Sequence, residues 1–141
     1  DGKKMSKSIG NVVDPNEIYL NYIYVTTSSM GLERHFKQYA DEVLRRIKLK
    51  KGSLIVDIGS NDGTLLKFFK DKGMHILGVE PAYEIAKKAT EDGIRTIAEF
   101  FNNTLSETIK NEFGPASVIT INNLLRISII YMSWQKAYAR C

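Results

Sequence analysis

The sequence predicts an α/β domain built on a doubly wound parallel sheet, with a helix preceding the first strand. Three observations predict it. Apolar runs of strand length, SLIVDI at 53–58, HILGVE at 75–80 and SVITIN at 117–122, alternate with segments whose apolar residues recur every three or four positions. Alternation at this spacing means right-handed crossovers and a parallel sheet covered on both faces. A glycine-rich turn at 59–63 directly follows the first run, and the ends of strands are where such sheets bind ligands.

Each element has its own signal. In 31–48, Leu32, Phe36, Tyr39, Ala40, Val43, Leu44 and Ile47 form an amphipathic helical stripe, with Ser28 or Ser29 available as a cap. Lys50, Lys51 and Gly52 break that pattern, and 53–58 reads as a buried parallel strand. Leu65, Leu66, Phe68 and Phe69 give a second helix ending at Gly73, followed by the strand at 75–80. A third helix at 82–92 is closed by Gly93, and a short strand follows at 94–98. A fourth helix at about 104–113 stops at Gly114-Pro115, and 117–122 is the fourth strand.

The 141 residues suffice for one domain, and 43% hydrophobic with 26% charged residues excludes a disordered chain. The longest nearly uncharged stretch, 118–134, is interrupted by Thr120, Asn122, Asn123, Arg126 and Ser128, well short of the ~20 apolar residues of a spanning helix. No membrane partner is expected. The lone cysteine, Cys141, excludes a disulfide framework and a thiolate metal cluster, so no metal site is expected and a cytoplasmic location fits. The first ten residues are charged and small, which reads as a cut start rather than a signal peptide. The net charge of +4 arises at the ends: 1–11 carry Lys3, Lys4 and Lys7 against Asp1, and 124–141 carry Arg126, Lys136 and Arg140 against no acid. The middle therefore offers no electrostatic footprint for nucleic acid.

The candidate site follows from the strand ends. After the first strand stand Asp57, Gly59, Ser60, Asn61, Asp62 and Gly63; after the second stands Glu80, then Pro81. Glycines allow a sharp turn and a close ligand, and an acid at the end of the second strand can accept hydrogen bonds from both ribose hydroxyls. A nicotinamide cofactor would use the same acid. Its fingerprint, however, wants glycine where Asn61 stands, and the Asp62 carboxylate would oppose a pyrophosphate. The same carboxylate suits the amino group or sulfonium of S-adenosylmethionine. His35 on the first helix and His75 at a strand start are expected to be packing or surface residues rather than general bases.

The segments YIYVTTSSMGLERHF, VDIGSNDGTLLKFF, GVEPA, GIRTIAEFF and ITINN, over about 12–123, resemble S-adenosylmethionine-dependent sugar C-methyltransferases, which methylate a carbon of nucleotide-linked deoxysugars. The resemblance implies a Rossmann-like, class I methyltransferase fold, here truncated at the C-terminus, with a nucleotide-linked sugar as small-molecule substrate. It also implies that Asp57, Gly59, Asn61, Asp62 and Gly63 cradle the methionine part and Glu80 the ribose. Phe101 would lie near the adenine, Asn122 and Asn123 beside the reactive methyl, and Tyr22 and Tyr24 over the cofactor. The family's cysteine-rich zinc module and the later domain with its histidine and tyrosine have no counterpart in these residues, so the catalytic base is unassigned. A non-catalytic adenosyl-binding fragment is the alternative expectation.

Two segments depart from this pattern. Residues 1–15, DGKKMSKSIGNVVDP, resemble the KMSKS loop of class I aminoacyl-tRNA synthetases, where Lys4 and Lys7 would correspond to lysines that neutralise ATP phosphates. Without the rest of such an enzyme the segment is expected to be a flexible fusion scar, and a synthetase remnant is a third reading. In 124–141, Leu125 to Tyr131 reads as a one-base shift of codons for a family-like Phe-Ala-His-Ile-Asp-Asn-Leu, so an aberrant, frameshifted tail is expected. The domain organisation is thus a 1–15 scar, a 16–123 methyltransferase core and a 124–141 tail.

Overall fold

The computed structural model describes residues 30–121. The KMSKS-like segment, Tyr22, Tyr24, Asn122, Asn123 and the 124–141 tail lie outside the described residues. The first helix, α1, spans Met30–Arg46, with Phe36 and Ala40 buried and Leu32, Tyr39, Val43 and Leu44 half-buried beside them. Its surface carries a local ion-pair cluster of Glu42 with Arg45 and Arg46. Then follow β1 (Leu54–Ile58), α2 (Thr64–Asp71), β2 (His75–Val79), α3 (Tyr83–Glu91), β3 (Thr96–Ile97), α4 (Asn103–Phe113) and β4 (Val118–Thr120). The predicted elements are all present, within one to two residues at most ends.

Among the described residues all strand pairs are parallel, and the order across the sheet is β3-β2-β1-β4. Side chains alternate across a strand, so β1 feeds two cores. Ile55 packs with Phe36 and Ala40 of α1, Leu65, Leu66 and Phe69 of α2, and Ala89 of α3. Leu54, Val56 and Ile58 face the other way, with Leu77 and Val79 of β2, onto Leu105 and Ile109 of α4. All five β1 residues are buried, which explains why its sequence is a continuous apolar run broken only by Asp57.

The topology follows from which face each crossover helix covers. The chain runs outward from β1 through β2 to β3 with α2 and α3 on one face, then returns past β1 to β4 with α4 on the other. This is the doubly wound, Rossmann-like arrangement, and its direction of winding reverses between β1 and β4. The switch point lies between those two strands, and sheets of this kind bind ligands beyond the carboxyl ends of the strands at such a point. Among the described residues no helix is long and apolar enough to cross a membrane.

Candidate functional site

The turn after β1 is drawn onto β2 by its own backbone. Gly59 and Ser60 amides both donate to the Val79 carbonyl, at 2.8 and 3.2 Å, and the Gly63 amide closes the turn on the Ser60 carbonyl at 3.0 Å. Asn61 takes the left-handed conformation at φ 52°, which asparagine tolerates better than most residues because its short polar side chain bonds locally. Its Oδ1 accepts the Asp62 amide at 2.8 Å. Asp62 Oδ1 then accepts both the amide and the hydroxyl of Thr64, at 3.1 and 2.6 Å, and so opens α2.

Two glycines are required by what surrounds them. Gly63 sits at φ 76°, and a Cβ there would come within 2.6 Å of Ile94 Cγ2. Gly78, in the middle of β2, lies under the turn: a Cβ would stand 2.5 Å from Ser60 Oγ and 2.7 Å from Thr96 Oγ1. The turn thus lies directly on β2 because β2 has no side chain at that position. Glycine inside a strand pattern is a sequence signal for such a close approach, although it was not among the expected site residues.

Glu80 joins the two strand-end turns. Its Oε2 accepts the Asn61 amide and its Oε1 the Ala82 amide, each at 3.0 Å, while Pro81 forms the bend between. The side chain is buried, with the residue 6% exposed. Burial pushes its carboxyl above the usual range, and the two amides from Ala82 and Asn61 oppose that shift. Each carboxylate oxygen has two acceptor positions, so both can take a ligand hydroxyl while keeping their amides.

Asp57 lies on the face of β1 shared with Ile55, paired in register with Gly78 on one side and Thr120 on the other. The Thr120 hydroxyl donates to its Oδ1 at 2.7 Å, a bond between two buried residues. Burial pushes Asp57 from 3.8 up to about 7; the Thr120 bond opposes the shift and the Glu80 charge adds to it. Thr120 was not foreseen, since its pairing with Asp57 depends on the strand register.

The structure therefore brings Asp57, Gly59, Ser60, Asn61, Asp62, Gly63, Glu80 and Pro81 to one edge of the sheet. Phe101 does not join them as a turn residue. It packs against the α4 side of the core, beside a small cavity lined by Val56, Ile109 and Ile119. His35 and His75 are exposed, and His75 begins β2, at the end of the strand away from the site.

The raised carboxyls predict that the stability of the chain depends on pH. A group whose folded pKa exceeds its unfolded value contributes stability that is fully present below the unfolded value and is lost as pH rises through the folded one. For Asp57 that window runs from 3.8 to about 7, and Glu80 acts in the same direction. Glu42 is pulled down to about 2 by Arg45 and Arg46, but it is solvent-screened on α1 and its window lies lower. The urea midpoint is expected to fall between pH 5 and pH 7.5, by roughly 2–3 kcal/mol in stability, and Asp57→Asn to remove most of the fall. An unchanged pH dependence in Asp57→Asn would contradict this.

Comparison with known proteins adds a relationship in sequence. The chain is 30% identical over 112 residues to C-methyltransferase NovU of Streptomyces niveus, covering 79% of this chain and 27% of that protein. The chain thus spans about a quarter of the length of the curated relative it matches. No family model matches it. The plantazolicin methyltransferase BpumL in complex with SAH superposes with a TM-score of 0.44 at 18% identity, covering 61% of this chain and 33% of that one.

Proposed function

We propose that the chain is the cofactor-binding part of an S-adenosylmethionine-dependent methyltransferase acting on carbon, with a nucleotide-linked deoxysugar as acceptor. The observation that carries the reading is the pair of buried carboxylates, Asp57 and Glu80, set around a left-handed turn at the switch point of a doubly wound sheet. The sequence relationship to a C-methyltransferase supports the same class of chemistry.

The residues fit a ligand with a ribose at one end and a cation at the other. Glu80 takes the ribose hydroxyls on the outer lone pairs of its two oxygens. Asp57 offers negative charge to the methionine amino group, and the turn amides and glycines let that part of the ligand lie close to the backbone. Bound S-adenosylmethionine supplies an electrophilic methyl group; the protein supplies position and electrostatics. A dinucleotide fits poorly. Asn61, 5% exposed, fills the position where a pyrophosphate needs glycine, and three carboxylates, Asp57, Asp62 and Glu80, would face its charge. In the same reading Phe101 lies on the adenine side, Asn122 and Asn123 beside the methyl, and Tyr22 and Tyr24 over the site.

Calorimetric titration of the full chain tests the cofactor. Micromolar binding of S-adenosylmethionine with NAD silent is the expected result; NAD binding, or no binding by folded chain, would sink it. The acceptor is tested separately, by transfer of labelled methyl to nucleotide-linked deoxysugars.

A further inference from the structure

The geometry points to Thr120 as a positioning residue whose hydroxyl, held in register across the β1–β4 switch point, aims the Asp57 carboxylate at the cationic end of the cofactor. The inference rests on the proposed cofactor reading. Asp57 and Thr120 are partners in the ladder, not chance neighbours, and both are buried, at 3% and 2% exposed. The 2.7 Å bond engages Oδ1 and restrains the carboxylate's rotation, and the proposal assigns the ammonium to the other oxygen, Oδ2. A threonine in an otherwise apolar strand has this as its evident purpose, since its β-branch alone could be supplied by valine.

The hydroxyl also acts on charge. Among the described residues, the neighbours that bear on Asp57 are Thr120 on β4 and Glu80 at the end of β2, while Gly78 brings no side chain. A hydrogen bond to the ionised form favours that form, so Thr120 counters both burial and Glu80. Ammonium binding draws on ionised Asp57, and removing the hydroxyl shifts that ionisation to higher pH.

The test is calorimetry on the full chain from about pH 6 to about pH 9 for wild type, Thr120→Ser and Thr120→Val, with 5′-methylthioadenosine as a probe lacking the ammonium. Affinity for S-adenosylmethionine is expected to rise through about pH 7 in wild type and Thr120→Ser. In Thr120→Val the midpoint moves up by roughly one pH unit, so binding is about fivefold weaker at pH 7 and converges with wild type by about pH 9. Methylthioadenosine binds all three alike. Thr120→Val tracking wild type at every pH, or weakening methylthioadenosine equally, overturns the proposal. If neither Thr120→Val nor Thr120→Ala folds by circular dichroism, the residue is structural and the proposal is overturned. Wild type that binds methylthioadenosine and S-adenosylmethionine at no pH overturns the cofactor reading instead, and this inference with it.

Discussion

Glu80→Ala is expected to weaken S-adenosylmethionine binding by about 100-fold or more, a loss near 2.7 kcal/mol or greater. Two effects combine. In the proposed binding mode the ribose loses its acceptor pair, and the amides of Asn61 and Ala82 lose theirs. A buried donor left without a partner costs about 1–3 kcal/mol, so the turn that carries the cofactor also loosens. Glu80→Gln separates the two, because it preserves size while presenting an amino group toward one of the amides. Its binding is expected to fall nearly as far as that of the alanine variant, with a smaller loss in thermal midpoint. Calorimetry with parallel melting curves reads both; binding within threefold of wild type in Glu80→Ala would remove Glu80 from the site.

The second large effect is on the fold beneath the site. Gly63→Ala is expected to destabilise the chain by about 2–5 kcal/mol, the sum of a left-handed backbone penalty and overpacking. At φ 76° the new methyl would meet three atoms of Ile94, at 2.6, 3.0 and 3.1 Å, all at the branch of a stiff side chain held in the core. Gly73→Ala isolates the backbone part, since Gly73 also has a left-handed φ, 81°, and an added Cβ there would meet nothing closer than Lys51 Cγ and Cδ at 3.8 Å. It is expected to lose only about 1–2 kcal/mol. Urea unfolding of both variants checks the difference, and equal losses would mean that Ile94 does not constrain the turn.

How far the sequence reaches is seen at these same positions. The strands and helices were legible because their burial is periodic: β1 is buried throughout and reads as a continuous apolar run, while α1 shows its stripe of Phe36, Ala40 and Val43. The third strand was expected at 94–98 but pairs only at Thr96 and Ile97. Ile94 serves the core under Gly63 without joining the ladder, and an apolar residue gives no hint of which it does. The convergence of Asp57, the turn and Glu80 was legible because their place at strand ends is fixed by chain order alone. Thr120 and Gly78 were not, because their meaning lies in lateral register, which no single segment encodes. Phe101, which the resemblance sets near the adenine, is half-buried against the α4 side of the core, a placement its own segment does not encode.

The proposed cofactor site requires ligand contact at the turns after β1 and β2. Amide chemical-shift mapping of isotope-labelled full chain during titration with S-adenosylmethionine measures this. The predicted result is saturable movement concentrated in the Gly59, Asn61, Asp62 and Gly63 amides and at Glu80 and Ala82, absent in Glu80→Ala. Saturable binding that leaves those amides still and moves another surface would contradict it.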